Sequence, residues 1–306
     1  VSSEGFVDLQ VNGYAGIDFN DADITGEDLL HASQAMRQDG VQRFLPTVIT
    51  DSVPLMEQRI KNLAELASQN PVTREMVAGF HVEGPFLNQS PGFIGAHPPQ
   101  HSQLASVDVA KRLLAAAEGQ VRIWTLAPEC DPQSATTAFL ADQGVLVSAG
   151  HCDPSLDQLK ESIDAGLKLF THLGNGCPMQ MHRHDNIVQR VLSLADRLQI
   201  GLIADGHHIP LFALQNYLQL IPKDNVWITT DAIAAAGLGP GVYRLAGRDV
   251  RVAEGDAPRF DGSGNLAGSA ATMPGMIENL KSIGIDSETI QAYCGGNASR
   301  LLDATN

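Results

Sequence analysis

Eight short apolar runs, each separated from the next by a stretch of helical length, constrain this chain more than any other feature. The runs cover residues 5–11, 43–50, 77–83, 121–127, 145–149, 168–172, 199–204 and 225–230. Amphipathic, helix-like stretches lie between them at 26–38, 53–68, 108–118, 134–143, 156–165, 186–195 and 211–218. The runs are apolar on both faces, which fits a parallel sheet whose two sides are covered by its own helical crossovers. An open doubly wound sheet would announce itself with spaced glycines after the first strand. Here that strand runs into Asn12-Gly13-Tyr14-Ala15-Gly16, with no third spaced glycine before a helix. The pattern therefore predicts an α/β fold, a single (β/α)8 barrel spanning residues 1–306, a length that suits a barrel of ~250 residues with insertions.

A glycine-rich insertion at 237–268 follows the eighth run, with a predicted hairpin pairing 241–245 with 249–252. The sequence leaves two places for it, a lid over the site or a surface excursion. The tail, 269–283 and 287–302, reads as helical and would complete the outer ring.

The charge balance excludes some partners. With 35 acidic against 20 basic residues and a formal net charge of −15, the chain lacks the basic face that nucleic acid or an anionic membrane surface requires. A small anionic substrate is still accessible, because one or two local cations can hold a phosphate. The four cysteines (Cys130, Cys152, Cys177, Cys294) form no CxxC pair and read as reduced thiols. There is no charged-then-apolar leader and no run of 18 apolar residues, so a cytoplasmic location is expected.

The conspicuous polar residues fall where the strands end, the face on which barrel enzymes build their sites. The third run ends in His81-Val82-Glu83-Gly84-Pro85 and the fifth in Ser148-Ala149-Gly150-His151. The sixth ends in Thr171-His172, the seventh in Ala204-Asp205-Gly206-His207-His208 and the eighth in Thr229-Thr230-Asp231. A carboxylate and two imidazoles at one barrel mouth suit a catalytic metal that keeps one position open for water. Glu83, His151 and His172 are the expected ligands of one divalent ion, Zn2+ first, with Fe2+, Co2+ or Mn2+ compatible with the same donors. The competing reading makes each histidine a buried structural hydrogen-bonder. Asp231 is the candidate acid–base, against the alternative that it caps a helical turn beginning at Ala232.

The segments Gly5-Phe6-Val7-Asp8-Leu9-Gln10-Val11-Asn12-Gly13, His81-Val82-Glu83-Gly84-Pro85, Gly95-Ala96-His97, Leu126-Ala127-Pro128-Glu129, Ser148-Ala149-Gly150-His151, Thr171-His172-Leu173, Ala204-Asp205-Gly206-His207-His208 and Thr230-Asp231-Ala232 resemble, in order, the motifs of N-acetylglucosamine-6-phosphate deacetylases. Gly268-Ser269 followed by Met273 fits as well. The resemblance covers nearly the whole chain and implies an amidohydrolase that removes acetate from the 2-acetamido group of an amino-sugar phosphate. It implies Glu83, His151 and His172 as metal ligands and Asp231 as catalytic acid–base. It also implies that His97 approaches the scissile amide or a sugar hydroxyl. Asn175, Gly176, Arg183 and His208 look like contacts to the sugar phosphate. In the family the arginine and the second histidine come from a neighbouring subunit, which implies a homodimer. On the residues alone, Arg183 would be a solvated surface cation and His208 a helix-start residue before Pro210. Gln10 stands where two-metal relatives carry a ligand of a His-x-His pair, so Asp8-x-Gln10 resembles the one-metal branch, and Gln10 is expected to face the substrate.

Two departures stand out. After Arg183 the family usually continues Glu-Pro-Gly, whereas this chain has His184-Asp185-Asn186. Family members also carry a small β-sandwich built from both chain ends, for which this sequence has no residues, so a compact form is expected. Another amidohydrolase substrate, a different N-acyl sugar or a cyclic amide, is the leading rival. A non-catalytic barrel that binds a sugar phosphate is the other.

Overall fold

The computed structural model describes residues 5–261 and 265–304. All eight runs form strands: β1 Phe6–Val11, β2 Val41–Ile49, β3 Phe80–Glu83, β4 Val121–Leu126, β5 Leu146–Ala149, β6 Leu167–Phe170, β7 Gln199–Leu202 and β8 Val226–Ile228. They pair in parallel in chain order, each beside its predecessor. The third strand is shorter than predicted, because Pro71–Met76 is helical up to Val77 and Gly79 turns the chain with φ 132 before Phe80.

The helices are α1 Gly26–Gln38, α2 Val53–Gln69, α3 Pro71–Met76, α4 Val107–Ala116, α5 Ala135–Asp142, α6 Leu156–Asp164, α7 Ile187–Leu192 and α8 Leu211–Leu220. Their starts follow from short polar caps. Thr25 with Asp28, and Ser155 with Gln158, form reciprocal capping boxes, which satisfy backbone N–H groups that have no partner within the helix. In the tail, α9 Met273–Ser282 and α10 Ser287–Gln291 are followed by a π turn at Ala292–Gly296 and α11 Asn297–Asp303. Helix α11 closes the bottom of the barrel. Its Ala298 and Leu302 pack with Leu9, Leu45, Ile123, Leu169 and Trp227.

The seam between β8 and β1 is closed mainly by side chains. Asp8 accepts from the hydroxyls of Thr229 and Thr230, both at 2.5 Å, and from the Thr230 N–H at 3.1 Å. Just beyond, Asn12 N–H donates to the Ala232 carbonyl at 2.7 Å. Burial pushes the Asp8 carboxyl up to about 6, against the opposing effect of these donors. Above the apolar floor lies a polar layer inside the barrel. His81 Nε2 meets Thr125 Oγ1 at 2.7 Å, Thr125 meets Thr171 at 2.7 Å, and Thr171 meets Ser148 at 2.6 Å.

The predicted hairpin is present as β9 Gly241–Leu245 and β10 Arg248–Val252, joined by a third strand, β11 Arg259–Phe260. Residues 262–264 of the insertion lie outside the described residues. Leu245, Val250, Val252 and Phe260 pack with Ile49, Ile233 and Ala267, so this small sheet stands on the barrel mouth. Among the described residues no helix is long and apolar enough to cross a membrane. The four cysteines are free.

Candidate active site

A cavity of about 1320 Å³ opens at the strand ends, walled on one side by the β9–β11 sheet through Leu245, Arg248 and Phe260. At its floor the buried Glu83, the last residue of β3, collects three side chains on one oxygen. His172 Nε2 lies 3.0 Å from Oε1, His151 Nε2 3.3 Å, and Gln10 Nε2 donates over 3.2 Å. His97 Nε2 approaches the other oxygen, Oε2, at 3.7 Å. Burial alone would raise the Glu83 carboxyl, but the surrounding histidines outweigh it and hold it well below the usual range.

Three of these strand-end residues sit in left-handed backbone: His151 at φ 51, His172 at φ 33 and Asp231 at φ 49. For residues with a Cβ this costs about 1–3 kcal/mol each and persists only where the surroundings impose it. His151 shows how it is imposed. A Cβ on Gly95 or on Gly176, both at positive φ, would stand 2.9 Å from its ring. Two loops can therefore close on the imidazole only because those positions are glycine.

The same histidine tests whether a cation fits. His151 Nδ1 lies 2.7 Å from the Phe93 carbonyl oxygen, which can only accept, so the ring donates there. In the neutral ring, Nε2 then carries a lone pair that faces a carboxylate oxygen 3.3 Å away. Two lone pairs meeting in a buried space call for a positive charge between them. A proton supplies it in the metal-free site, where burial opposes charge on His151 but Glu83 outweighs it and raises the pKa, and a metal ion supplies it when bound. The residues fit a divalent metal. Ligand atoms of Glu83, His97 and His151 lie within 4.8 Å of one another, and His172 adds a third nitrogen beside Glu83. His97, expected from the sequence as a catalytic residue that approaches the amide or a sugar hydroxyl, thus also belongs to the metal-capable group. Burial, followed by the neighbouring His151, pushes the His97 ring down to about 3.

Asp231 lines the cavity beyond β8. Burial and the Glu83 charge push its carboxyl up to about 6, while His172, His208 and the hydrogen bond from Asn12 pull the other way. Asn12 Nδ2 donates to Asp231 Oδ1 at 2.7 Å. His208 also lines the cavity, its Nδ1 2.7 Å from Asp205 Oδ2. Burial opposes charge on that ring, but Asp205 outweighs it and raises the His208 pKa.

Asn175 and Gly176 line the cavity, and the buried Asn175 Nδ2 has no partner among the described residues. Two expected substrate contacts lie elsewhere. Gln10 is fully buried and absent from the cavity lining, because its amide is turned onto Glu83. Arg183 is exposed on the loop before α7 and does not line its own chain's cavity, since the loop turns that residue outward. His208, by contrast, lines the cavity of its own chain. The sequence assigns no role to Asn12, Asp205 or Arg248. Asn12 is in step with Asp8 and Gln10 along one strand and Asp205 stands at a strand end, whereas Arg248 carries no signal.

Comparison with known proteins places these features in context. No protein-family model matches the chain. It is 32% identical over 304 residues to an N-acetylglucosamine-6-phosphate deacetylase of Lysinibacillus sphaericus, covering 99% of this chain and 76% of the relative. It is 30% identical over 277 residues to an N-acetylgalactosamine-6-phosphate deacetylase of Escherichia coli, covering 90% of this chain and 71% of the relative. Among solved structures, it superimposes with a TM-score of 0.87 and 28% identity on a substituted N-acetyl-D-glucosamine-6-phosphate deacetylase of Mycobacterium smegmatis in complex with N-acetyl-D-glucosamine-6-phosphate. That match covers 98% of this chain and 77% of the other.

Proposed function

The chain belongs to the N-acetylglucosamine-6-phosphate deacetylase family, and from that premise we propose that it hydrolyses N-acetylglucosamine 6-phosphate to glucosamine 6-phosphate and acetate. It is an amidohydrolase, a metal-dependent enzyme that cleaves a carbon–nitrogen bond. The observation that carries the reading is the pairing, in one cavity, of a buried Glu83 ringed by histidines with a second carboxylate, Asp231, whose pKa is raised.

Glu83, His151 and His172 would hold one divalent cation, zinc by preference. When bound, it supplies a Lewis acid that polarises the acetamide carbonyl and acidifies water. Asp231 takes the proton from the attacking water and returns it to the departing nitrogen. A carboxyl near 6 suits both directions of transfer. His97, neutral at working pH, donates a hydrogen bond to the amide oxygen or a sugar hydroxyl without adding charge. The free Asn175 Nδ2 and the Gly176 backbone orient the sugar. His208, whose pKa Asp205 raises against burial, faces the phosphate. Arg183 reaches the phosphate of a neighbouring copy, which makes the functional unit a homodimer and accounts for its outward position. The free cysteines support a reducing, cytoplasmic setting.

The test is acetate release by metal-replete protein from four sugars: N-acetylglucosamine and N-acetylgalactosamine, each with and without a 6-phosphate. Turnover of the phosphorylated gluco sugar well above the others is expected. Preference for the galacto epimer would move the substrate to that of the Escherichia coli relative. No turnover of any sugar would overturn the deacetylase reading.

A further inference from the structure

Side chains two apart along a strand point the same way, and β1 uses this to hold three parts of the site. Asp8 grips Thr229 and Thr230, Gln10 grips Glu83, and Asn12, just past the strand end, grips Asp231. The last contact is the most direct. Asn12 is buried, and its amide orientation is fixed by chemistry, since an ionised carboxylate can only accept and Nδ2 must be the atom at 2.7 Å. The backbone N–H groups of Asn12 and Gly13 both donate to the Ala232 carbonyl, at 2.7 and 3.1 Å, which ties down the residue after Asp231. Gly268 gives the clearance, because a Cβ there would stand 2.7 Å from the Asp231 carbonyl oxygen.

We propose that Asn12 is a positioning residue for the acid–base carboxylate of Asp231. Its amide occupies Oδ1 and so leaves Oδ2 as the oxygen that exchanges a proton with water and with the leaving nitrogen. In left-handed backbone the Asp231 side chain does not follow the usual direction of a strand residue. A fixed donor therefore sets where the carboxyl points. The inference rests on the reading of Asp231 as the acid–base.

The test compares metal-replete wild type with Asn12→Ala and with Asn12→Leu, which keeps the approximate size but removes the donor. Acetate release from N-acetylglucosamine 6-phosphate should show kcat reduced on the order of 10²-fold in both, with KM within about twofold, as for a misplaced catalytic group. Bound metal should be unchanged. In an Asp231→Asn background, Asn12→Ala should add little further loss, because nothing is left to position. Retention of kcat within about threefold, a loss confined to KM, or an equal loss in both backgrounds would overturn the proposal. A crystal structure of each variant reads the carboxyl without turnover: one Asp231 rotamer in wild type should become several in Asn12→Ala. An unchanged rotamer would overturn the proposal. A wild type that releases no acetate but shows the rotamer change would instead refute the deacetylase reading.

Discussion

His151 Nδ1 lies 2.7 Å from the carbonyl oxygen of Phe93, and that bond decides which face of the ring meets Glu83. The tautomer is set by the Phe93 carbonyl, on a loop whose approach Gly95 allows.

Metal affinity should therefore respond to residues that touch no metal. Gly176→Ala puts a methyl 2.9 Å from the His151 ring at a position with φ 60. The ring must turn away from Glu83, and affinity should fall about 10–100-fold, the usual effect of disturbing a ligand's support. Competition with a chromogenic chelator measures this. Affinity equal to wild type would show that the ring tolerates the crowding.

The seam carboxylate gives a pH signature in stability. Asp8 is raised to about 6 in the folded protein, from 3.8, so the folded state binds its proton more tightly than the unfolded chain does. Stability from this group is complete below the unfolded value and is lost as pH rises through about 6. An Asp8→Asn variant cannot ionise. Between pH 4 and 7 the wild type should lose roughly 2 kcal/mol relative to that variant. Urea unfolding across this range reads the difference, and parallel curves would contradict it. Asp18, also buried and raised to about 6, is common to both proteins and cancels.

If Arg183 serves a neighbouring copy, Arg183→Ala and Asp231→Asn should each lose most activity alone and recover some when refolded together. Half of randomly formed dimers are mixed, and each mixed dimer has one intact site, so recovery should reach about a quarter of wild type. Two impaired variants that gain nothing on mixing would keep the arginine out of the partner's site.

Much of this was legible in the sequence, for stated reasons. Apolar runs of strand length give β1 to β8, and the polar residues just after them mark the catalytic face, because parallel strands all open their C-terminal ends on the same side of the barrel. The left-handed backbone at His151, His172 and Asp231 was not legible, since residues with a Cβ give no sign of positive φ and the strain is imposed by neighbours distant in sequence. Asn12 before Gly13 reads locally as a turn, and its grip on Asp231 depends on the closure of the seam. Gln10 looked like a substrate contact because motif position does not reveal that its amide turns to Glu83. The 237–268 insertion became a cavity wall through Leu245, Arg248 and Phe260, whose packing against the barrel has no local signature.

The central claim is that a carboxylate–histidine metal site and Asp231 together hydrolyse the acetamide. The most direct measurement is acetate release from N-acetylglucosamine 6-phosphate by wild type and Asp231→Asn, with bound metal determined in the same samples. The account predicts about one metal per chain in both, rapid release by wild type, and a loss of roughly 10²–10⁴-fold in the variant. Comparable release by both proteins, with metal bound in each, would contradict it.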